Sequence, residues 1–308
     1  MCLLFLLFGE IQTGACANLA KSLCTRQLPL LIVSVRDENF HRETARGSVN
    51  DTGRYSPKDM EAGGTWFSYN HTTQRYAIIL NHDNPPCDSG SKKPEELLSR
   101  GALPTMFTDS NIPITSFLKD IKQKFGFFNG FNLIFGDLEG CYYVSNRNLD
   151  SPVQLEPNVL HGFSNGDLHA DPAAWPRLPV GKSVIELEVP SLGGGVASKV
   201  IETESLCKQH MRQLVEAFKS NEYVNPDVSM HTTCHESLIL PPTSCDENDV
   251  LYGTRTLTAL VTFATGREGE GEESADGRQG GVRCGVFIVE SDLDPGTQRW
   301  SDKEHVLL

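Results

Sequence analysis

Six apolar residues stand in unbroken succession near the start of the chain, Leu3–Phe8 (LLFLLF). A run this short and this apolar fits a strand buried on both faces. Residues 28–35 (LPLLIVSV) form a second such run, rich in β-branched side chains and ending abruptly at Arg36, Asp37 and Glu38. Residues 42–56 are polar and read as a loop. Gly63-Gly64-Thr65-Trp66 reads as a turn leading into Phe67–Asn70, with residues 71–74 connecting to a partner strand at 76–80 (YAIIL). Two further pairs follow the same pattern, residues 130–136 with 140–145 and residues 257–263 with 282–289. A short strand is expected at 159–164.

Helical spacing is confined to a few stretches. Residues 17–23, 93–99 and 114–125 are candidates, with Thr115 as an N-cap region and Gly126 as a stop. Residues 199–219 carry the clearest helical period, through Val200, Leu206, Met211, Leu214, Val215 and Phe218. Residues 84–91 read as a loop. Strand pairs on short turns with helices gathered mid-chain make an α+β protein, not an alternating doubly wound one. The whole of 1–308 reads as a single domain. Residues 266–281, rich in Gly and Glu, are too polar to pack and read as a disordered acidic insertion.

Composition narrows the functional classes. With 308 residues the chain can bury a sizeable core. A net charge of −13 disfavours nucleic-acid partners. The longest apolar run falls far short of the ~20 residues of a transmembrane helix, and no basic residue precedes it as in a signal peptide. Nine cysteines at irregular spacing, with no CxxC, fit a reducing, cytoplasmic setting better than a disulfide framework. No phosphate-binding glycine motif is present, and Gly193-Gly194-Gly195 reads as a loop. His231, Cys234 and His235 form the most metal-like cluster, but without further ligands no metal is assigned. Trp66, Trp175 and Trp300 are expected in the core.

Several segments recur in one order: Met1-Cys2 before an apolar run, Ser34-Val35-Arg36-Asp37-Glu38, Gly63-Gly64-Thr65-Trp66, Asn129-Gly130-Phe131-Asn132-Leu133, Gly162-Phe163-Ser164-Asn165 and Tyr252-Gly253-Thr254-Arg255-Thr256. Together they resemble the NRDE family, also called the Transport and Golgi Organisation protein 2 family. Val35 stands where the family's name-giving Asn is expected, Ser68 where Gly is expected, and the spacer between Cys2 and Arg36 is longer. That family is similar to cysteine N-terminal-nucleophile hydrolases. The resemblance therefore implies an N-terminal-nucleophile-hydrolase-like αββα sandwich of two antiparallel sheets.

It also implies a site. If Met1 is removed, Cys2 carries a thiol beside a free α-amine that serves as its base. The resemblance gives Arg36 the role of stabilising the thiolate and Asp37 that of holding the amine. Asn81 and Asn165 would contact the reacting carbonyl, and Arg255 would line the site. Each has a plainer reading: Cys2 as a core thiol, Arg36 and Asp37 as a surface turn, the two asparagines as turn residues, Arg255 as a strand-end charge. Arg36 and Asp37 are adjacent, so on a regular strand they face opposite ways.

Two functions follow. One is a protein of Golgi organisation, secretion and haem or lipid handling, holding a small amphipathic ligand (haem or acyl lipid) without cleaving it. It requires no cofactor, haem being a transported ligand. The resemblance then implies association with Golgi or mitochondria. The other is a cysteine amidohydrolase acting on acyl amides. Cys2 favours the second; Val35 and the longer spacer favour the first. A purely structural partner of membrane traffic is a third reading, with no interaction motif behind it.

Overall fold

The structure, a computed structural model, describes residues 2–9, 30–82, 97–137, 140–147, 152–169, 174–188, 204–220, 237–244, 250–265 and 283–308. Fourteen strands among these make two antiparallel sheets. The first sheet runs β10 (His161–Phe163), β1 (Leu3–Phe8), β2 (Leu30–Asn39), β12 (Leu251–Thr265), β13 (Arg283–Asp294) and β14 (Arg299–Leu307), with β11 (Thr243–Ser244) beside β12. The second runs β3 (Thr44–Val49), β4 (Arg54–Asp59), β5 (Phe67–Asn70), β6 (Arg75–Asn81), β7 (Phe131–Gly136), β8 (Cys141–Ser145) and β9 (Val153–Gln154). Four α-helices are described: α1 (Ala102–Thr108), α2 (Ile114–Lys122), α3 (Arg177–Glu188) and α4 (Glu204–Ser220).

Strand alternation sorts the apolar residues into layers. Leu4, Leu6, Phe8, Leu30 and Ile32 face the second sheet, where they meet Tyr55, Phe67, Tyr69, Ile78 and Ile134. Leu3, Phe5, Leu31, Val33 and Val35 face the other way, against Ile185 of α3 and Met211, Leu214 and Phe218 of α4. On the outer face of the second sheet, Ile79, Leu133 and Phe135 pack on Leu103 and Phe107 of α1 and Phe117 and Ile121 of α2. The result is helix, sheet, sheet, helix, an α+β sandwich as expected. β1 is unbrokenly apolar because both its faces are covered.

Several expectations fail for identifiable reasons. Residues 42–56 are not a loop, because they contain β3 and the first half of β4. β3 is the edge strand and β4 lies next to it, and few of their positions are buried, so their sequences (TARGSV, RYSPKD) carry little apolar signal. Gly53, at φ 78°, makes the turn between them. β14 (RWSDKEHVL) was unforeseen for the same reason. α1 was hidden by Pro104 in its first turn, a position that tolerates proline. α3 was hidden because its buried face is Arg177, Gly181 and Ile185, four residues apart and only partly apolar. At Gly181 a Cβ would sit 2.1 Å from the Phe5 ring, so glycine is required for the helix to approach β1.

α2 stops at Lys122, and its N-cap is Pro113, not Thr115. Within residues 93–99, Leu97, Leu98 and Ser99 are not helical, and Leu98 bridges to Phe128. The expected helix at 17–23, the loop at 84–91, Gly193–195, the His231/Cys234/His235 cluster and the insertion at 266–281 all lie outside the described residues. Among the described residues no helix is long and apolar enough to cross a membrane.

Candidate functional site

β1 and β2 pair in register from Leu3↔Val35 to Phe8↔Leu30, which puts Cys2 beside the point where β2 runs on into Arg36 and Asp37. There the two sheets part around a cleft of about 480 Å³. Cys2, Arg36, Asp37 and Asn81 all contribute to its wall. So do Trp66, Leu80, Leu97 and Leu98 as apolar lining, and Glu38, Arg42, Asp59 and Arg100 as charged lining.

Arg36 and Asp37 obey the strand alternation and separate. Arg36 turns toward the second sheet, with its guanidinium 4.2 Å from the Trp66 ring centroid, 3.2 Å from Glu38 and hydrogen-bonded to Thr44 Oγ1. A shielded guanidinium over an indole face is held by both its charge and its plane. Asp37 turns toward the helices. Its Oδ2 accepts from Arg177 Nη1 at 2.5 Å and its Oδ1 from Thr254 Oγ1 at 2.6 Å. Arg177 is itself fixed by donating to the carbonyls of Ser237 and Leu238, each at 2.8 Å. Toward Cys2, Asp37 offers its backbone carbonyl, 3.7 Å from Sγ.

The half-buried Cys2 is gripped at its backbone. Its N–H donates to Asn165 Oδ1 at 2.6 Å, and its carbonyl accepts from Ser164 Oγ at 2.8 Å. Asn165 Nδ2 in turn donates to the Asn81 carbonyl at 2.7 Å, tying β1 to the end of β6 across the two sheets. Asn165 thus orients the Cys2 nitrogen, while the exposed Asn81 side chain stands at the cleft wall. Burial pushes the Cys2 thiol up, and Asp37 adds to that. The chain-terminal amine, the Asp37 carbonyl and Arg36 pull it down by less. The thiol is therefore protonated near neutral pH.

Arg255 stands apart from the cleft lining. It is the extra residue of a bulge between Thr254 and Thr256, where β12 crosses β2. Its Nη1 caps the carbonyls of Asn39, Phe40 and Arg42. The bulge sends its side chain to the loop after β2 and lets Thr254 reach Asp37.

The wall opposite β2 depends on the GGTW turn. Gly63 sits at φ 73°. A Cβ on Gly64 would lie 2.5 Å from the Gly101 carbonyl carbon, and Thr65 N–H donates to Gly101 O at 2.9 Å. This backbone-to-backbone contact sets Trp66 against the 97–101 segment that carries Arg100.

Arg177, Arg100 and Ser164 were not foreseen. Ser164 lies within a recognised motif, so its neighbourhood was marked. Arg177 lies in an unremarkable segment, and only the tertiary structure brings it to Asp37. Among the described residues no group of three or more His, Cys, Asp or Glu could hold a metal ion.

Comparison with known proteins identifies the family. The family model described as Transport and Golgi organisation 2 matches residues 1–273. The chain is similar to the Transport and Golgi organization protein 2 homolog of Bos taurus, at 29% identity over 256 residues, covering 77% of this chain and 83% of the relative. It is also similar to the Transport and Golgi organization 2 homolog of Mus musculus, at 26% over 286 residues, covering 88% and 89%. The Homo sapiens homolog matches at 28% over 253 residues, covering 77% and 83%. A match of this extent, over the cleft-forming strands and both sheets, places the chain in the Transport and Golgi organisation 2 family.

Proposed function

We propose that this protein serves Golgi organisation and protein secretion, and the handling of haem or lipid, by holding a small amphipathic ligand in the Cys2 cleft without cleaving it. The names of its relatives support the Golgi role. The make-up of the cleft supports the ligand class. Trp66, Leu97 and Leu98 offer apolar surface, and Arg42 and Arg100 offer charge at the same opening. The observation that carries the non-cleaving part is the orientation of Asp37. Its carboxylate is engaged by Arg177 and Thr254 on the helix side, while the Cys2 thiol is kept protonated by burial. A carboxylate committed to the helix side is not turned to hold a Cys2 amine.

One observation favours a second reading, a cysteine amidohydrolase. Asn165 and Ser164 hold both ends of the Cys2 backbone. Once Met1 is removed, the α-amine would be fixed beside its own thiol. It would take the Sγ proton as sulfur attacks an amide carbonyl and pass it to the departing amine. Water would then hydrolyse the thioester. The two readings separate in one experiment. Intact mass establishes whether Met1 is present, and the protein is then incubated with haem and a panel of acyl amides. The proposal expects saturable binding with no amine released. Amine release that disappears in Cys2→Ala would replace it with the second reading.

A further inference from the structure

Most arginines around the cleft have a carboxylate. Arg36 pairs with Glu38 at 3.2 Å, Arg42 with Asp59 at 2.7 Å and Glu61 at 3.3 Å, and Arg177 with Asp37 at 2.5 Å. Arg100 differs. Among the described residues its guanidinium makes one hydrogen bond, from Nη1 to Gly130 O at 2.7 Å, and no ion pair. It is half-buried in the cleft wall. Burial, then the like charges of Arg42 and Arg147, lower its pKa, against a smaller opposing effect of Glu38. A guanidinium has five N–H donors in a planar fork, so most of its donors remain for another partner. Keeping such a cation partly desolvated beside two others costs free energy that an incoming anion would offset.

The same cleft carries Leu97 and Leu98, separated from Arg100 in the chain by Ser99 alone, with Trp66 and Cys2 also in its wall. We propose that Arg100 anchors the anionic oxo-group, carboxylate or phosphate, of an acyl ligand whose chain lies along Leu97, Leu98 and Trp66. This rests on the ligand-holding reading of the cleft and gives it a direction. The guanidinium fork matches either oxo-anion in bidentate fashion.

The test uses four probes of equal chain length on the full chain, by calorimetric titration. They are N-octanoylglycine, its neutral amide N-octanoylglycinamide, octyl phosphate and octanol. Wild type is expected to bind N-octanoylglycine or octyl phosphate roughly tenfold or more tightly than the neutral probes, the advantage of a charge-assisted hydrogen bond. Whichever anion binds more tightly identifies the head group. Arg100→Gln should remove the advantage, and Arg100→Lys should keep part of it. Should Arg100→Gln fail to fold, the wild-type comparison of charged and neutral probes decides alone. Equal binding of charged and neutral probes overturns the Arg100 anchor and leaves the ligand reading standing. Binding of none of the four overturns both.

Discussion

Arg177 Nη1 donates to Asp37 Oδ2 at 2.5 Å, with the Asp37 side chain wholly shielded and that of Arg177 nearly so. This pair joins α3 to the far end of β2 and turns the Asp37 carboxylate from the thiol side to the helix side. Removing one partner of a buried pair leaves the other charge uncompensated, at a cost of about 3–5 kcal/mol. Arg177→Met should therefore lower unfolding free energy by about that amount in chemical denaturation. Asp37→Asn should be milder, since the amide still accepts from Thr254. A loss under about 1 kcal/mol for Arg177→Met would mean that the pair is not buried as described.

Glu290 gives a pH dependence of the less usual sign. Its side chain is buried between the sheets, and its Oε2 accepts from Gly47 N–H at 2.7 Å. Burial first, then Asp292, raises its pKa to about 7. A folded pKa above the unfolded one means that the folded state binds the proton more tightly. Stability should be full below about pH 4.3, the unfolded carboxyl range, and fall as pH rises toward 7. The contribution is on the order of 3 kcal/mol. Glu290→Gln should flatten that fall. Identical pH profiles for wild type and variant between pH 4.5 and 7 would count against it.

The raised Cys2 thiol predicts slow alkylation. Peptide-resolved carbamidomethylation should show Cys2 reacting slowly at pH 7, with a midpoint above the ordinary thiol value of about 8.5. A midpoint below that value would mark an activated thiol and revive the hydrolase reading.

Gly64→Ala tests the cleft wall. Its Cβ would be 2.5 Å from Gly101 backbone, which cannot swing aside as a side chain could. Destabilisation of about 1–3 kcal/mol is expected in denaturant titration, with unchanged slope. A variant within about 0.5 kcal/mol of wild type would show that the contact is loose.

Strands with covered faces were legible in the sequence. Leu3–Phe8, the core of β6 and FNLIFG in β7 are apolar because packing demands it, and their order carried the family resemblance. β3, β4 and β14, at or next to a sheet edge, were not, since few or none of their positions are buried. At the site, Cys2 and Arg36 were marked only by the family resemblance, and the pairing of β1 with β2 brings them to neighbouring strand ends. The opposed directions of Arg36 and Asp37 follow from strand alternation, but the partner of Asp37 does not. Arg177 comes from a helix whose inner face reads as neither apolar nor polar, 140 residues along the chain. Arg255 is marked by motif, and a bulge directs its side chain to the carbonyls after β2, beside the cleft-lining Arg36 and Arg42 but not in the lining itself.

The central claim is that the cleft beside Cys2 holds an amphipathic ligand, and the most direct test is the alkylation rate of Cys2 with the cleft filled and empty. Carbamidomethylation at pH 9 would be followed by peptide mass, with saturating haem or N-octanoylglycine, and with buried Cys207 of α4 as internal control. The account predicts that at least one ligand slows Cys2 about tenfold, the effect of roughly 90% occupancy, and leaves Cys207 unchanged. Equal Cys2 rates with and without both ligands would contradict it.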